Sequence, residues 1–414
     1  MTLAPTGRRE LTAATLGRLV ESYDWTIFGL LTPYFAAQMF AGGNGVLLGY
    51  LTFAVGFLIR PLGAVLIGRI TDTRGRRFGL TLTVGMIAAG SLAIALIPAH
   101  EQIGLGAALL LVLARLVQGL SMGGEGAAQS AYIAETAPRG RRYWFGSISY
   151  STDILGNVVG LVTLAVLLGV FGADGVREGA WRYAFALGAV MGLVTLWIRR
   201  SAAESPVFLG MTGGPPALPL MRAHLRQMVV VFFVVIGSTI SVYFGQIYLP
   251  EYAAAAGVIT KEAAAGQLGV PMIVLLVLML VCGRLGDRFG PITMVRWGFV
   301  YVAVVTVPLM LGLQHGKIPF IVAATLYTIG AAPALALGPV MGSKLFPPAI
   351  RALAGGVPGT LAIALFGGTF LLVAEWLNQN GHLTLIPIYA GAAAVLSAFA
   401  VFLIKKSDLY EEET

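Results

Sequence analysis

Ionisable and amide side chains recur at helical spacing in two stretches that are otherwise strongly apolar. The first, GRLVESYDW at 17–25, places Arg18, Glu21 and Asp24 at successive steps of three, so they share one face of a helix. The second, RLVQGLSMGGEGAAQ at 115–129, places Gln118, Met122, Glu125 and Gln129 on one stripe, with Arg115 a turn away. Gly119 and Gly123 form a small-xxx-small seam on another face, where a neighbouring helix can approach closely. One face packs and the other is polar, as in a helix that lines a cavity. An ionised side chain at the centre of a membrane span costs about 2.5–3.5 kcal/mol on insertion scales, so it is expected to have a partner or a water-filled chamber. Asp24 and Arg115 fall near the middle of their apolar runs, at similar depth. A carboxylate facing an arginine in a poorly solvated chamber suits proton coupling, because the arginine keeps it ionised and separation favours protonation. The alternative is a static ion pair that holds two helices together.

Glu125 lies further along its helix, toward the end expected to face the cytoplasm, and reads as a second proton carrier, a gate residue or a structural partner. Glu21 has the same options, including simple pairing with Arg18. Arg60, in GFLIRPLG, is near mid-span beside Pro61. Its planar guanidinium suits a substrate carboxylate, or one of the embedded acids. The fifth helix supplies Ser149, Asp153 and Asn157 at steps of four, and the seventh supplies Tyr243, Gln246 and Tyr248 before Pro250. Together with Arg18, Tyr23, Arg60, Gln118 and Gln129, the residues Asp153, Asn157, Tyr243 and Gln246 are candidate ligands for a small polar solute. Each alone is equally an interhelical contact; only the set points to a site. Gly367 and Gly368 read as packing, and Glu375 as solvated.

These stretches sit in a chain of 414 residues that is 57% hydrophobic and 11% charged, with a mean hydropathy of +0.84. Ordinary soluble domains carry roughly 25% charged residues. The reading is an all-α polytopic membrane protein. The polar, basic start before Leu11 leads into an apolar run too long for a signal-peptide core, so no cleaved leader is expected. The single cysteine, Cys282, excludes an internal disulfide framework, and the four histidines lack metal-ligand spacing. There is no phosphate-binding glycine–lysine loop and no serine nucleophile elbow. No cofactor, metal or enzymatic activity is therefore expected.

Twelve spans are expected near 11–40, 47–67, 78–98, 103–131, 144–171, 180–198, 227–254, 264–283, 292–313, 317–342, 352–377 and 383–404. With an inside N-terminus, twenty lysines and arginines fall in the cytoplasmic segments, from Arg8 and Arg9 to Lys405 and Lys406. Only Arg177, Arg182, Lys261 and Lys317 fall opposite. That asymmetry places both termini inside and explains the net charge of +8 without nucleic acid. The longest loop, with GGPP at 213–216, divides the chain into an N-terminal half (1–198), a linker (199–226) and a C-terminal half (227–414). GRITDTRGRR at 68–77 and GRLGDRFG at 283–290 follow the second and eighth spans, and such duplication suggests a secondary transporter. The C-terminus, ending DLYEEET, has no heptad pattern.

The repeated loop resembles the signature of the major facilitator superfamily, G-x-x-x-D-R-x-G-R-R. Asp72, Gly75, Arg76 and Arg77 match, and Thr73 stands where arginine is usual. The second copy keeps Asp287, Arg288 and Gly290 but not the trailing arginines. The resemblance implies that these loops latch two six-helix halves on the cytoplasmic side, more loosely here. Further motifs resemble the metabolite:proton symporter family within that superfamily: ESYD at 21–24, GFLIRPLG at 56–63, RLVQGLSMGGEG at 115–126, AETAP at 134–138, WRYAF at 181–185, RRSAAESPVF at 199–208, LFPPAIR at 345–351 and FGGT at 366–369. Lys344 departs from that family's glutamate. The resemblance implies Asp24 with Arg115 as coupling pair, Glu21 and Glu125 as further embedded acids, and carboxylates or zwitterions such as proline and betaine as substrates. Without the long C-terminal coiled coil of osmosensing betaine carriers, an organic anion is favoured; Asp153 among the embedded acids favours a zwitterion or cation. The expectation is thus a monomeric proton symporter in a bacterial-type inner membrane, importing a small organic acid. A zwitterion importer, an exporter of drugs or siderophores, and an embedded sensor or enzyme are the rivals.

Overall fold

Among the described residues, which are 5–41, 45–200, 203–210 and 217–410 of a computed structural model, the chain forms helices and no strand. Helices satisfy every interior backbone group within the segment, which lipid demands. Helix α1 is Pro5–Met39. Helix α2 runs in two pieces, Gly45–Leu58 and Arg60–Arg74, because Pro61 has no N–H to continue the ladder. Then follow α3 (Arg76–Leu96), α4 (Gly106–Thr136), α5 (Arg142–Gly175) and α6 (Trp181–Arg200). Helix α7 comprises Leu225–Val242, a π-helical turn at Tyr243–Tyr248 and Leu249–Ala255. The widened turn sits just before Pro250, whose ring would otherwise clash with the preceding turn. Helices α8 (Gly269–Phe289), α9 (Pro291–Gln314) and α10 (Phe320–Ser343) are next. Helix α11 is Arg351–Ala362, a π-turn Ile363–Gly367 and Gly368–Gln379, and α12 is Leu385–Phe402. These are twelve spans, each close to its expected place.

Large apolar side chains such as Leu58, Leu96, Val170, Trp197, Leu372 and Phe399 stay 65–74% exposed. In water such a belt would drive aggregation; here it is the face that lipid covers.

Two compact units emerge. The first is Met1–Thr136 with Thr152–Pro215, and the second is Ala137–Ser151 with Pro216–Thr414. Relative to the division expected from sequence, the start of α5 belongs with the second unit. Asp287, near the end of α8, accepts hydrogen bonds from the Tyr143 and Trp144 amides, both 2.9 Å. A carboxylate there meets the positive end of α5. The GGPP sequence at 213–216 and the final 411–414 lie outside the described residues.

Inside the first unit, helices approach through small residues. The Gly119/Gly123 seam of α4 lies on α2: a Cβ at Gly119 would come 2.5 Å from the Gly56 carbonyl oxygen, and one at Gly123 would come 2.9 Å from the Ala64 amide nitrogen and also overlap the Arg60 carbonyl. Gly156 and Gly160 of α5 play the same part against α1. One end of this unit is filled by Phe28, Phe35, Trp181 and Phe185, all fully buried. In the second unit, the Ser397 hydroxyl of α12 accepts from the Gly237 amide (2.9 Å) and donates to the Phe233 carbonyl (2.6 Å), tying α12 to α7. After α12 the chain folds back, and the Tyr410 amide donates to the Lys344 carbonyl at 2.8 Å.

Because the atoms facing Gly123 are backbone, they cannot turn aside. Gly123→Val is expected to cost about 1–3 kcal/mol by overpacking and to lower the melting temperature in detergent. Gly169→Ala, where an added Cβ meets nothing within 4 Å, should leave it unchanged.

Candidate functional site

The site is assembled from α1, α2, α3, α4, α6 and the part of α5 from Thr152 onward, all in the first unit. At the middle of α1, Asp24 is 2% exposed and Arg115 of α4 is fully buried. Arg115 NH1 donates to Asp24 Oδ2 at 3.1 Å. The other carboxylate oxygen accepts from the Ser91 hydroxyl of α3 and from Gln118 Nε2 at 2.9 Å. Gln118 Oε1 in turn accepts from Arg115 NH1 at 2.7 Å. The rest of the guanidinium is covered by aromatic rings: its carbon lies 3.8 Å from the Phe28 centroid, 4.8 Å from Trp25 and 5.5 Å from Phe53. Arg115 Nε and NH2 find no hydrogen-bond acceptor, so cation–π attraction replaces hydration on those edges.

A second cluster is partly open. Arg18 pairs with Glu21 at 3.4 Å and, across to α5, with Asp153; the Arg18 and Asp153 side chains are 16% and 29% exposed. One turn on, the Thr26 hydroxyl donates to Asn157 Oδ1 at 2.8 Å. Arg60 stacks over Trp25 (4.5 Å) and Phe57 (4.3 Å), with NH2 at 3.5 Å from the Met122 sulfur. The aromatic shelf of Trp25 therefore carries both Arg60 and Arg115.

Glu125, fully buried, belongs to a third cluster. Its oxygens accept from Arg199 at 2.5 and 3.3 Å and from the Thr83 hydroxyl. Arg199 enters from the end of α6, where Gly17 of α1 leaves room: any side chain there would overlap the guanidinium. In the sequence Arg199 reads as one of the basic loop residues and as the first residue of RRSAAESPVF, with no partner assigned.

The sequence-predicted loop residues Asp72, Arg76 and Arg77 form a fourth cluster. Arg76 is fully buried and pairs with Asp72 and, at 3.0 Å, with Glu135. Glu204 accepts from the amides of Arg76 (2.9 Å) and Arg77 (3.1 Å), so it caps α3. Ser205 Oγ donates to Glu135 at 2.6 Å. Thr73, in place of the usual arginine, bonds only its own helix, at the Arg69 carbonyl. Arg288, expected in the gating set, lies over the Phe289 ring at 5.1 Å.

Three residues expected as substrate ligands sit elsewhere. Tyr23 is fully buried and donates to the Ala184 carbonyl at 2.8 Å. Gln118 is enclosed with Asp24, and Gln129 is fully buried. In the second unit Tyr243 and Gln246 lie half-buried on the π-turn of α7. The Tyr248 hydroxyl donates to Glu375 at 3.4 Å, so that acid has a protein partner rather than water alone. Ser91, Arg199, Glu135 and Glu204 were not among the candidate site residues; all but Ser91 carried a sequence signal, Arg199 and Glu204 in RRSAAESPVF and Glu135 in AETAP.

A sequence model described as the Major Facilitator Superfamily matches residues 14–362. The chain belongs to that superfamily. It is 33% identical over 420 residues to the alpha-ketoglutarate permease of Escherichia coli (strain K12), covering 98% of this chain and 95% of the relative. It is 29% identical over 410 residues to a putative proline/betaine transporter of Staphylococcus aureus (strain COL), covering 96% and 88%. Among solved structures, the proton:xylose symporter XylE bound to 6-bromo-6-deoxy-D-glucose superposes with a TM-score of 0.79 at 20% identity, over 95% of this chain and 94% of that one. The protein is thus a multi-pass membrane transporter of the superfamily's twelve-helix fold, and its relatives are carriers of small molecules, not enzymes.

Arg199→Ala should destabilise the transporter by about 3–5 kcal/mol, because it strands a buried carboxylate. Adding Glu125→Gln should recover part of the melting temperature; no recovery would show that the arginine acts through packing alone.

Proposed function

We propose that this transporter is a proton-coupled symporter that imports a small organic carboxylate by alternating access. The observation that carries the coupling is the Asp24–Arg115 pair, sealed from water at mid-span and held by three donors. A purely structural contact at that depth is better made by well-packed apolar side chains, since desolvating two charges costs several kcal/mol. A pair that can exist as ion pair or as protonated acid plus free arginine offers two states for a transport cycle to use. Both termini face the cytoplasm, the chain acts as a monomer, and a bacterial cytoplasmic membrane is its setting.

For the substrate, similarity to an alpha-ketoglutarate permease supports a carboxylate, and Arg60, flat on Trp25, is the cation assigned to it. A second reading, a zwitterion such as proline or betaine, is favoured by one observation. Arg18 is shared by two carboxylates, Glu21 and Asp153, which leaves that partly open cluster net acidic.

In proteoliposomes, Asp24→Asn should abolish accumulation driven by a proton gradient while keeping substrate exchange. Accumulation at the wild-type level would remove Asp24 from the coupling role. A thermal-shift panel of dicarboxylates, proline and betaine at two pH values separates the two substrates, since a ligand at 100 times its Kd adds about 2.7 kcal/mol. Arg60→Gln should weaken a carboxylate about 10- to 100-fold, as expected for losing one charged hydrogen bond, and leave a betaine-like ligand nearly unaffected.

A further inference from the structure

On the sequence Gln118 reads as a substrate ligand, yet its side chain is fully enclosed and both of its polar atoms are used inside the first unit. Oε1 accepts from Arg115 NH1 at 2.7 Å. Nε2 donates to Asp24 Oδ1 at 2.9 Å and to Ser91 Oγ at 3.1 Å. Only this orientation of the amide is satisfied, because arginine offers donors alone and an ionised carboxylate acceptors alone. Ser91 completes the arrangement: its hydroxyl hydrogen points at Asp24 and its lone pair receives Gln118. Helix α3 makes space for the amide at Gly90, where an added Cβ would come 2.5 Å from Gln118 Cγ and 3.0 Å from Cδ.

Every donor in this network is therefore aimed at the ionised form of Asp24. A protonated carboxyl needs an acceptor: Ser91 Oγ can serve only by turning its own hydrogen away from Asp24, and Gln118 Oε1 only after the amide turns over. Turning it presents the NH2 group to Arg115, donor against donor, so the turned amide and the bound arginine exclude each other. We infer that Gln118, held by Ser91, is the positioning residue that links protonation of Asp24 to release of Arg115. The proton comes from bulk water and stays on the carboxyl, and Arg115 keeps its own. This rests on the coupling role proposed for Asp24.

Apart from Gln118 and Ser91, the described surroundings bring no neutral relay into hydrogen-bond contact with the pair. Helix α1 brings Glu21 and Tyr23, and Tyr23 is committed to the Ala184 carbonyl. Helix α2 brings Arg60 and the rings of Phe53 and Phe57; α4 brings Arg115 itself; α6 meets Tyr23 through Ala184 and Gly188.

The test needs no substrate. In purified, reconstituted protein, infrared difference spectra across a pH titration report the carboxyl C=O band, and the part of it lost in Asp24→Asn belongs to Asp24. In Gln118→Leu and in Ser91→Ala the pH at which that band is half-formed should rise by about one unit, the shift expected when an ionised group loses one donor. Gln118→Leu should move it at least as far as Ser91→Ala, because it also removes the anchor of Arg115. If the band is absent from Asp24→Asn but its midpoint is unmoved in Ser91→Ala and in any foldable Gln118 variant, Gln118 is only packing and the inference falls. If the band survives intact in Asp24→Asn, Asp24 does not titrate, and the coupling reading falls with it.

Discussion

Everything in the first unit answers to one constraint: a charge placed at the centre of a membrane span must be neutralised by groups the protein itself supplies. Asp24 and Arg115 meet it with three donors on the acid and an aromatic shelf under the base. The geometry of five helices follows. Gly119 and Gly123 bring α2 within backbone contact of α4, which sets Phe53 beside the guanidinium. Gly90 admits the Gln118 amide between α3 and α4, and Gly17 admits Arg199 between α1 and α6. Removing side chains at chosen points is what allows polar ones to be enclosed at others.

Four charge clusters follow one another through this unit, and they differ in exposure more than in chemistry. The Asp24, Glu125 and Arg76 clusters are sealed, whereas Arg18 and Asp153 stay partly open. Sealed clusters hold helices in place, and one of them doubles as a two-state element if its acid accepts a proton. An open cluster can be reached by a solute without first disturbing the fold. The same residue types thus serve anchoring and recognition, divided by access to water.

The helical spans, their number and the pairing of Asp24 with Arg115 were legible because a charge interrupting an apolar run is conspicuous, and similar depth limits its partners. Ser91 was not, since a serine in a membrane helix usually bonds its own backbone and carries no sign of a distant carboxylate. Arg199 was hidden by its place in a basic cytoplasmic segment, where orientation alone explained it; only the fold shows its side chain turning inward to Glu125. Gln118 was legible as polar and inward-facing, but whether it met a solute or another side chain depended on Gly90, a residue 28 positions earlier on a different helix. The start of α5 went to the second unit for a similar reason: its contact with Asp287 is made by backbone amides, which sequence cannot distinguish from any others.

The second unit is built to another plan. Among the described residues, its charged side chains all lie within about two turns of a helix end. In their place are π-turns in α7 and α11 and prolines inside α9, α10 and α11. Each forfeits regular backbone hydrogen bonds, and such points are where helices bend at least cost. The consequence for the second unit is a set of built-in joints: α7, α10 and α11 can change direction at these turns and prolines without breaking a charge contact.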